Sequence, residues 1–547
     1  MSRVQSLSCM VALSFCALAA LGVPQADSQL GARAGHAGLG SHFQTSDRCI
    51  ACHNGLTTPA GEDYSIGYDW RPTMMANAGR DPYWQAGVRR ESIEHPSAAK
   101  AIEDECSICH MPMARYESQL EGKEGEVFAH LPFNPKKVGD RLAADGVSCS
   151  VCHQITSENL GKRESFVGGF RIDVTQPPGA RRVYGPFEID EGHTRIMRSS
   201  SGFQPTQGAQ IRSAELCATC HTLYTKALGS TGQVIGELPE QMPYQEWLHS
   251  AYKDAQTCQS CHMPAIHEDV PITAVLGEPR PGVVRHTFLG GNFFMQRLLN
   301  RFRNDLGVAA LPQELEAAAT RMVTHLQSEA ARIAINHVDL HDGRLLADVS
   351  VENQGGHKLP TAYPSRRVWL HVTVRDRNGR SLFESGALTP QGSIVGNDND
   401  TDASRFEPHY NEITSADQVQ IYEAIMAGPD GLPTTGLLTA VRYVKDNRLL
   451  PRGFDKKTAD KDIAVQGSAV DDEDFTAGGD TVRYSISPGD APGPFLIEAE
   501  LWYQPISYRW AENLKRIDAF ETRRFVGYYE SMASGSAVML ARATAAK

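Results

Sequence analysis

From about residue 333 onward, apolar and polar positions alternate with a period of two. Arg344–Glu352, Val368–Val374, Thr481–Ile486 and Phe495–Tyr503 carry this pattern, which predicts half-buried strands. Asp376-Arg-Asn-Gly379 has the chemistry of a hairpin turn. Several such strands predict an antiparallel β-sandwich domain over 333–547, with a terminal helical stretch from Ser507 to Ala537. Before it the period lengthens to three and four. Phe293–Phe302 and Glu314–Val323, parted by Leu311-Pro312, predict a helical linker over 291–332. Between residues 40 and 290 periodicity is weak, and the chain reads as short helices and Gly/Pro loops. The expected fold class is therefore mixed: a mostly α-helical, loop-rich N-terminal domain, a helical linker and a C-terminal antiparallel β-sandwich.

The chain has 547 residues, 41% hydrophobic and 22% charged, with a formal net charge of −12. Wholesale disorder is excluded, and so is a nucleic-acid binder, which needs a basic surface. Arg3 precedes the apolar run Cys9–Leu21, too short to span a bilayer but suited to a signal peptide. Residues 1–26 are read as that signal, with an uncleaved anchor as the alternative. No other long apolar run occurs, so no membrane span is expected after cleavage. The mature chain is expected in the periplasm or exported to the cell surface.

Cysteine changes the picture most. Of 12 cysteines, Cys9 and Cys16 fall in the signal segment; the rest lie between Cys49 and Cys261, with none beyond. They form five pairs, each followed by histidine: Cys49-Ile-Ala-Cys52-His53, Cys106-Ser-Ile-Cys109-His110, Cys149-Ser-Val-Cys152-His153, Cys217-Ala-Thr-Cys220-His221 and Cys258-Gln-Ser-Cys261-His262. Each matches the attachment sequence for c-type haem. Two thiols three positions apart can bond the two vinyl groups of one porphyrin, with the next imidazole held under the iron. Five pairs do not divide evenly into Cys₄ zinc sites, and disulfides give no reason for histidine at the same place five times. Five covalent haems are expected over residues 27–290, with His53, His110, His153, His221 and His262 as proximal ligands.

Each iron then takes a sixth ligand or stays open. The generous supply of histidines favours a second imidazole at most sites. His286, in Arg285-His-Thr-Phe-Leu-Gly-Gly291, is the first candidate, followed by His193, His130, His249 and His95, all in loop or loop-flanking contexts. Met75, or its neighbour Met74, offers a thioether, which raises a haem's potential relative to a second imidazole. His357, in Gly356-His-Lys-Leu-Pro-Thr361, could reach a haem from the C-terminal half; His409 is a weaker candidate. Asp398, Asp400 and Asp402 read as a solvated acidic loop; the alternative is that these alternate positions converge on Ca²⁺, although the loop is not an EF-hand. Asp471-Asp-Glu-Asp474 reads as a solvated acidic run or a docking patch for a basic partner.

The five motifs, the repeated Cys109-His-Met-Pro112 and Cys261-His-Met-Pro264, and the His286-Thr-Phe-Leu-Gly-Gly291 loop resemble multihaem c-type cytochromes. The nearest group is the superfamily of nitrifier tetrahaem cytochromes and pentahaem nitrite reductases, over roughly residues 40–295. The resemblance implies closely spaced haems forming an electron wire. Pentahaem nitrite reductases typically carry one motif ending in Lys; all five here end in His, which argues against a nitrite-reducing site of that kind. The expected function is electron carriage, not catalysis, with other cytochromes or quinol-linked donors as partners. The alternative is a multihaem oxidoreductase acting on a small nitrogen, sulfur or oxygen compound at one open haem.

Overall fold

The computed structural model describes residues 41–547; the expected signal segment, 1–26, lies outside them. The region that carries the motifs is not mostly helical. Its longest helices are Pro82–Glu94 and Ala99–His110, and four residues suffice for Cys149–Cys152. Two small sheets interrupt them. Strands β1 (Arg181–Gly185) and β2 (Phe203–Gln207) pair in parallel, whereas β3 (Leu223–Leu228) and β4 (Val234–Gln241) form an antiparallel hairpin. Among the described residues helix accounts for 32% and strand for 23%, so the expected fold class is corrected. The physical reason is local. These segments bend around a large cavity instead of packing along one another, so no long apolar stripe is needed. Where a helix does form, its start follows ordinary capping: Asp81 accepts from the Tyr83 and Trp84 amides, and Pro82 opens the first turn.

The C-terminal half holds two larger sheets. One contains β5 (Ala331–His341), β6 (Arg344–Asn353), β13 (Gly479–Ile486) and β9 (Glu412–Ile413), in the order β5-β6-β13-β9. The other runs β11-β10-β7-β14-β15, with β8 paired to β7 and β12 paired to β10. Its strands are β7 (Arg367–Arg375), β8 (Ser381–Ser385), β10 (Ile421–Ala427), β11 (Pro433–Thr434), β12 (Arg442–Asp446), β14 (Leu496–Gln504) and β15 (Val538–Ala546). Residues alternate along β6 between buried and half-buried, as a period of two requires. The pairing of β13 with β9 is parallel, so the expected purely antiparallel sandwich is also corrected. The terminal element is a strand: the helices Tyr508–Asn513 and Phe520–Met532 are followed by β15, which pairs along β14.

Packing does not stop at the predicted linker. Phe293, Phe294, Leu298 and Leu299, from the helix Phe293–Arg301, share one buried cluster with Val349 of β6, Val372 of β7 and Leu501 of β14. Ala86, Leu238 and Met242 join it from the motif-bearing half. Arg89 meets Glu521 in a bidentate pair at 2.9 and 3.0 Å, and Glu91 accepts from the Leu437 amide at 2.9 Å. The two halves therefore share a core.

The acidic residues of the C-terminal half do not behave as the sequence predicts. Asp398 pairs with Arg405, Asp400 with buried Arg367, and Asp402 caps Ser404; they do not converge on a cation. Asp472 turns inward to accept from His409 Nε2 at 2.8 Å, so 471–474 is not simply a solvated run. The His409 Nδ1 accepts from the Gln420 and Asn447 side-chain amides. Their oxygens are taken by the Tyr410 and Glu423 amides, so both NH₂ groups must point at the ring. The proton therefore sits on Nε2, which defines a hydrogen-bond network instead of a metal ligand. Beside it, burial pushes the Asp480 carboxyl up to about 7, although Tyr422 donates to it at 2.7 Å. An acid with a raised folded pKa is most favourable below its unfolded value near 3.9, and that advantage is lost as pH climbs to about 7. Asp480→Asn should therefore stabilise the protein at pH 8, by up to a few kcal/mol, and give no gain at pH 4. Denaturant melts of both proteins at the two pH values measure the difference.

Candidate functional site

All ten motif cysteines and all five motif histidines line a single cavity of 1860 Å³. That is larger than the roughly 300–1,000 Å³ of a pocket for one small molecule. Its walls are mostly apolar and include Trp70, Val88, Ile102, Val151, Leu216 and Met295. The ten cysteines form no disulfides. Their thiols bring the motifs together: Cys149 interacts with Cys49, Cys220 with Cys109, and Cys217 with both Cys258 and Cys152. In space the first motif therefore neighbours the third, the third neighbours the fourth, and the fourth neighbours the second and the fifth.

Four of the five motif imidazoles are anchored through Nδ1. Nδ1 of His53 donates to the Ile272 carbonyl at 2.6 Å, that of His110 to Ala78 at 3.2 Å and that of His153 to Tyr184 at 2.6 Å. His262 Nδ1 donates to the Leu289 carbonyl. A carbonyl only accepts, so each proton is on Nδ1 and each Nε2 keeps its lone pair, the second-shell arrangement of ligating histidines. Burial favours the neutral ring at His53, His110, His153 and His221. It lowers His53 and His153, and takes His110 and His221 down to about 4, the latter helped by the charges of His262 and Arg366. Trp84 lies flat on the His110 ring, with centres 4.3 Å apart.

Two further imidazoles complete pairs. His286 faces His153 with ring centres 6.5 Å apart and planes 21° apart; His357 faces His262 at 6.2 Å and 19°. Two metal–nitrogen bonds of about 2.0–2.1 Å, plus the reach from each nitrogen to its ring centre, add to about 6.3 Å. The spacing is too wide for stacking contact and suits one metal ion between each pair. Burial, then the neighbouring His153 ring, takes His286 down to about 3, and burial lowers His357. The loop bearing His286 sits against β14: a side chain at Gly291 would meet the Tyr503 hydroxyl at 2.3 Å, so this position requires glycine.

The other predicted ligands are placed differently. His193 lines the cavity, but Asp190 holds its Nδ1 at 2.5 Å and the Leu276 carbonyl its Nε2 at 3.0 Å. Asp190 raises its pKa, and neither nitrogen is free to ligate in this arrangement. His130 turns its Nδ1 to Asp140, His249 turns its own to the Gln245 carbonyl, and His95 lies beside Glu91 and Thr439; none of the three lines the cavity. Met74 and Met75 both line it. His325 lines it too and was not among the predicted ligands; burial, then the charge of His262, lowers its pKa. It follows Met322 by one helical turn on the apolar face of Pro312–His325, a signal the sequence does contain.

No family model matches the chain, and no curated protein matches it. One solved structure does: a penta-heme cytochrome c552 from Thermochromatium tepidum, at 16% sequence identity, with a TM-score of 0.52 over 92% of this chain and 99% of that one. The two chains share a fold along nearly their whole lengths.

Proposed function

We propose that this chain is an exported multihaem c-type cytochrome that carries electrons through five covalently bound haems. The observation that carries this reading is the convergence of five Cys-x-x-Cys-His motifs on one apolar cavity, with two facing imidazole pairs at metal-spanning distance. The shared fold with a penta-heme cytochrome supports it. When bound, haem irons supply one-electron redox chemistry. The chain supplies the thiols, orients the Nε2 lone pairs through backbone carbonyls, and surrounds the groups with apolar side chains that limit water. The motif order in space connects all five groups through the fourth. Other redox proteins are the expected partners, in the periplasm or at the cell surface.

His286→Ala tests the ligation. It should open one iron, convert about one-fifth of the ferric low-spin signal to high-spin and create a site for cyanide, with the other four unchanged. An unaltered spectrum would remove His286 from the iron.

A second reading, an oxidoreductase for a small nitrogen, sulfur or oxygen compound, has its own observation. His53, His110 and His221 face no second imidazole among the described residues. Near His221, Arg366 donates to the Thr361 carbonyl and to Asn292, with no carboxylate partner among the described residues. A high-spin component and exogenous-ligand binding in the unmodified ferric protein favour this reading; an all-low-spin spectrum favours the wire.

A further inference from the structure

Building on the haem reading, we propose that the C-terminal sheets hold the sixth ligand of the fifth site. The positioning device is a buried ion network of Glu246, Lys358, Asp446 and Arg448. His357 belongs to the connection between β6 and β7, not to the motif-bearing half, yet its ring faces His262. The next residue, Lys358, is fully buried, and its Nζ pairs with Asp446 Oδ2 at 2.8 Å. Asp446 ends β12 and also takes Arg448 through Nε and Nη2, at 2.8 and 2.7 Å. Arg448 pairs with Glu246 at 3.0 Å. Glu246 closes the circuit by accepting from the Lys358 backbone amide at 3.1 Å and from the Thr361 hydroxyl at 2.5 Å.

Three distant segments therefore meet at one loop: the short helix Pro243–Leu248 between the fourth and fifth motifs, the loop of His357, and the end of β12. The loop is also tied by the backbone. Leu359 and Leu449 exchange both hydrogen bonds at 2.9 Å, and the His357 carbonyl accepts from Asn353 at 2.7 Å. Two acids and two bases make the network neutral, but removing four ionised groups from water carries a large desolvation cost that apolar side chains of similar size would avoid. What charges add is direction. Each ion pair fixes an angle as well as a distance, and the circuit returns to the backbone of the residue beside His357. The C-terminal half thus has a redox role: it sets how His357 meets its iron, and so the potential of one haem of five.

The test uses the haem-loaded protein with three variants: His357→Ala, Asp446→Asn and Glu246→Gln. Each is followed by ferric electron paramagnetic resonance, a spectroelectrochemical titration and a thermal melt. His357→Ala should open one iron. Asp446→Asn should leave the protein folded and perturb the same haem alone, shifting its redox equilibrium about tenfold, which is about 59 mV for one electron. Glu246→Gln keeps an acceptor for the Lys358 amide and should shift that haem less. If His357→Ala leaves all five haems unchanged, the ligation itself is wrong. If His357→Ala opens an iron while folded Asp446→Asn and Glu246→Gln leave every potential in place, the ligation stands and the positioning role falls. Loss of the fold in both network variants assigns the four residues to folding and likewise overturns the proposal.

Discussion

Produced where haem attachment is blocked, or with all ten motif cysteines changed to alanine, the chain should fail to reach this fold. The magnitude follows from the cavity. At about 24 cal/mol per Å³, leaving 1860 Å³ of apolar space without packing partners would cost about 45 kcal/mol. Water entry and collapse lower that figure, but a typical domain holds only about 5–15 kcal/mol of net stability. The groups that fill this space are therefore part of the core. Loss should spread past the motifs, because Ala86, Leu238 and Met242 belong to the same buried cluster as the C-terminal sheets. Circular dichroism and limited proteolysis read the fold. The intact mass of the mature protein should exceed its polypeptide by five haem masses that survive acid-acetone extraction. A folded, protease-resistant chain with ten free thiols would overturn the haem reading.

What was legible in the sequence, and what was not, follows from the range of the interactions. A haem-attachment motif is contiguous, because one porphyrin spans two thiols and an imidazole, so its pattern survives in five residues. A strand such as β6 is legible because one face is buried and the other only half-buried, so apolar and polar residues alternate. β15 is not: Val538–Ala546 is rich in alanine, a helix former, and becomes a strand through its pairing with β14. The motif-bearing half was overestimated as helix because its side chains face a cavity instead of a neighbouring element. Sixth-ligand geometry is long-range. Nothing local joins His286 to His153 or His357 to His262, and the sequence alone does not show that Asp190, the cap of a helix, occupies the Nδ1 of His193. His325 lies well beyond the motifs in sequence, and only the fold brings its helix to the cavity wall.

Arg367→Leu should destabilise the C-terminal half by about 3–5 kcal/mol. Arg367 is 1% exposed and begins β7, the strand between β10 and β14. Its guanidinium grips Asp400 with two nitrogens at 2.8 and 2.9 Å, and Nε donates to Gln504 at 2.8 Å. Asp400 accepts in turn from the Ile394 amide at 2.7 Å. The pair thus fastens the acidic loop, once a calcium candidate, to the middle of the larger sheet. Leucine fills part of the volume but leaves Asp400 charged, buried and without its counter-ion. The decisive comparison is the double variant Arg367→Leu with Asp400→Leu. If the loss in the single variant is mainly an orphaned charge, the double variant should recover much of it, because two apolar groups need no partner. If the double variant is as unstable as the single one, the loss lies in the guanidinium's contacts with Gln504 and the Gly392 carbonyl, and the ion pair contributes little. Thermal melts of the haem-loaded proteins at matched pH and salt separate the two, with the five haem spectra expected to stay unchanged because neither residue lines the cavity.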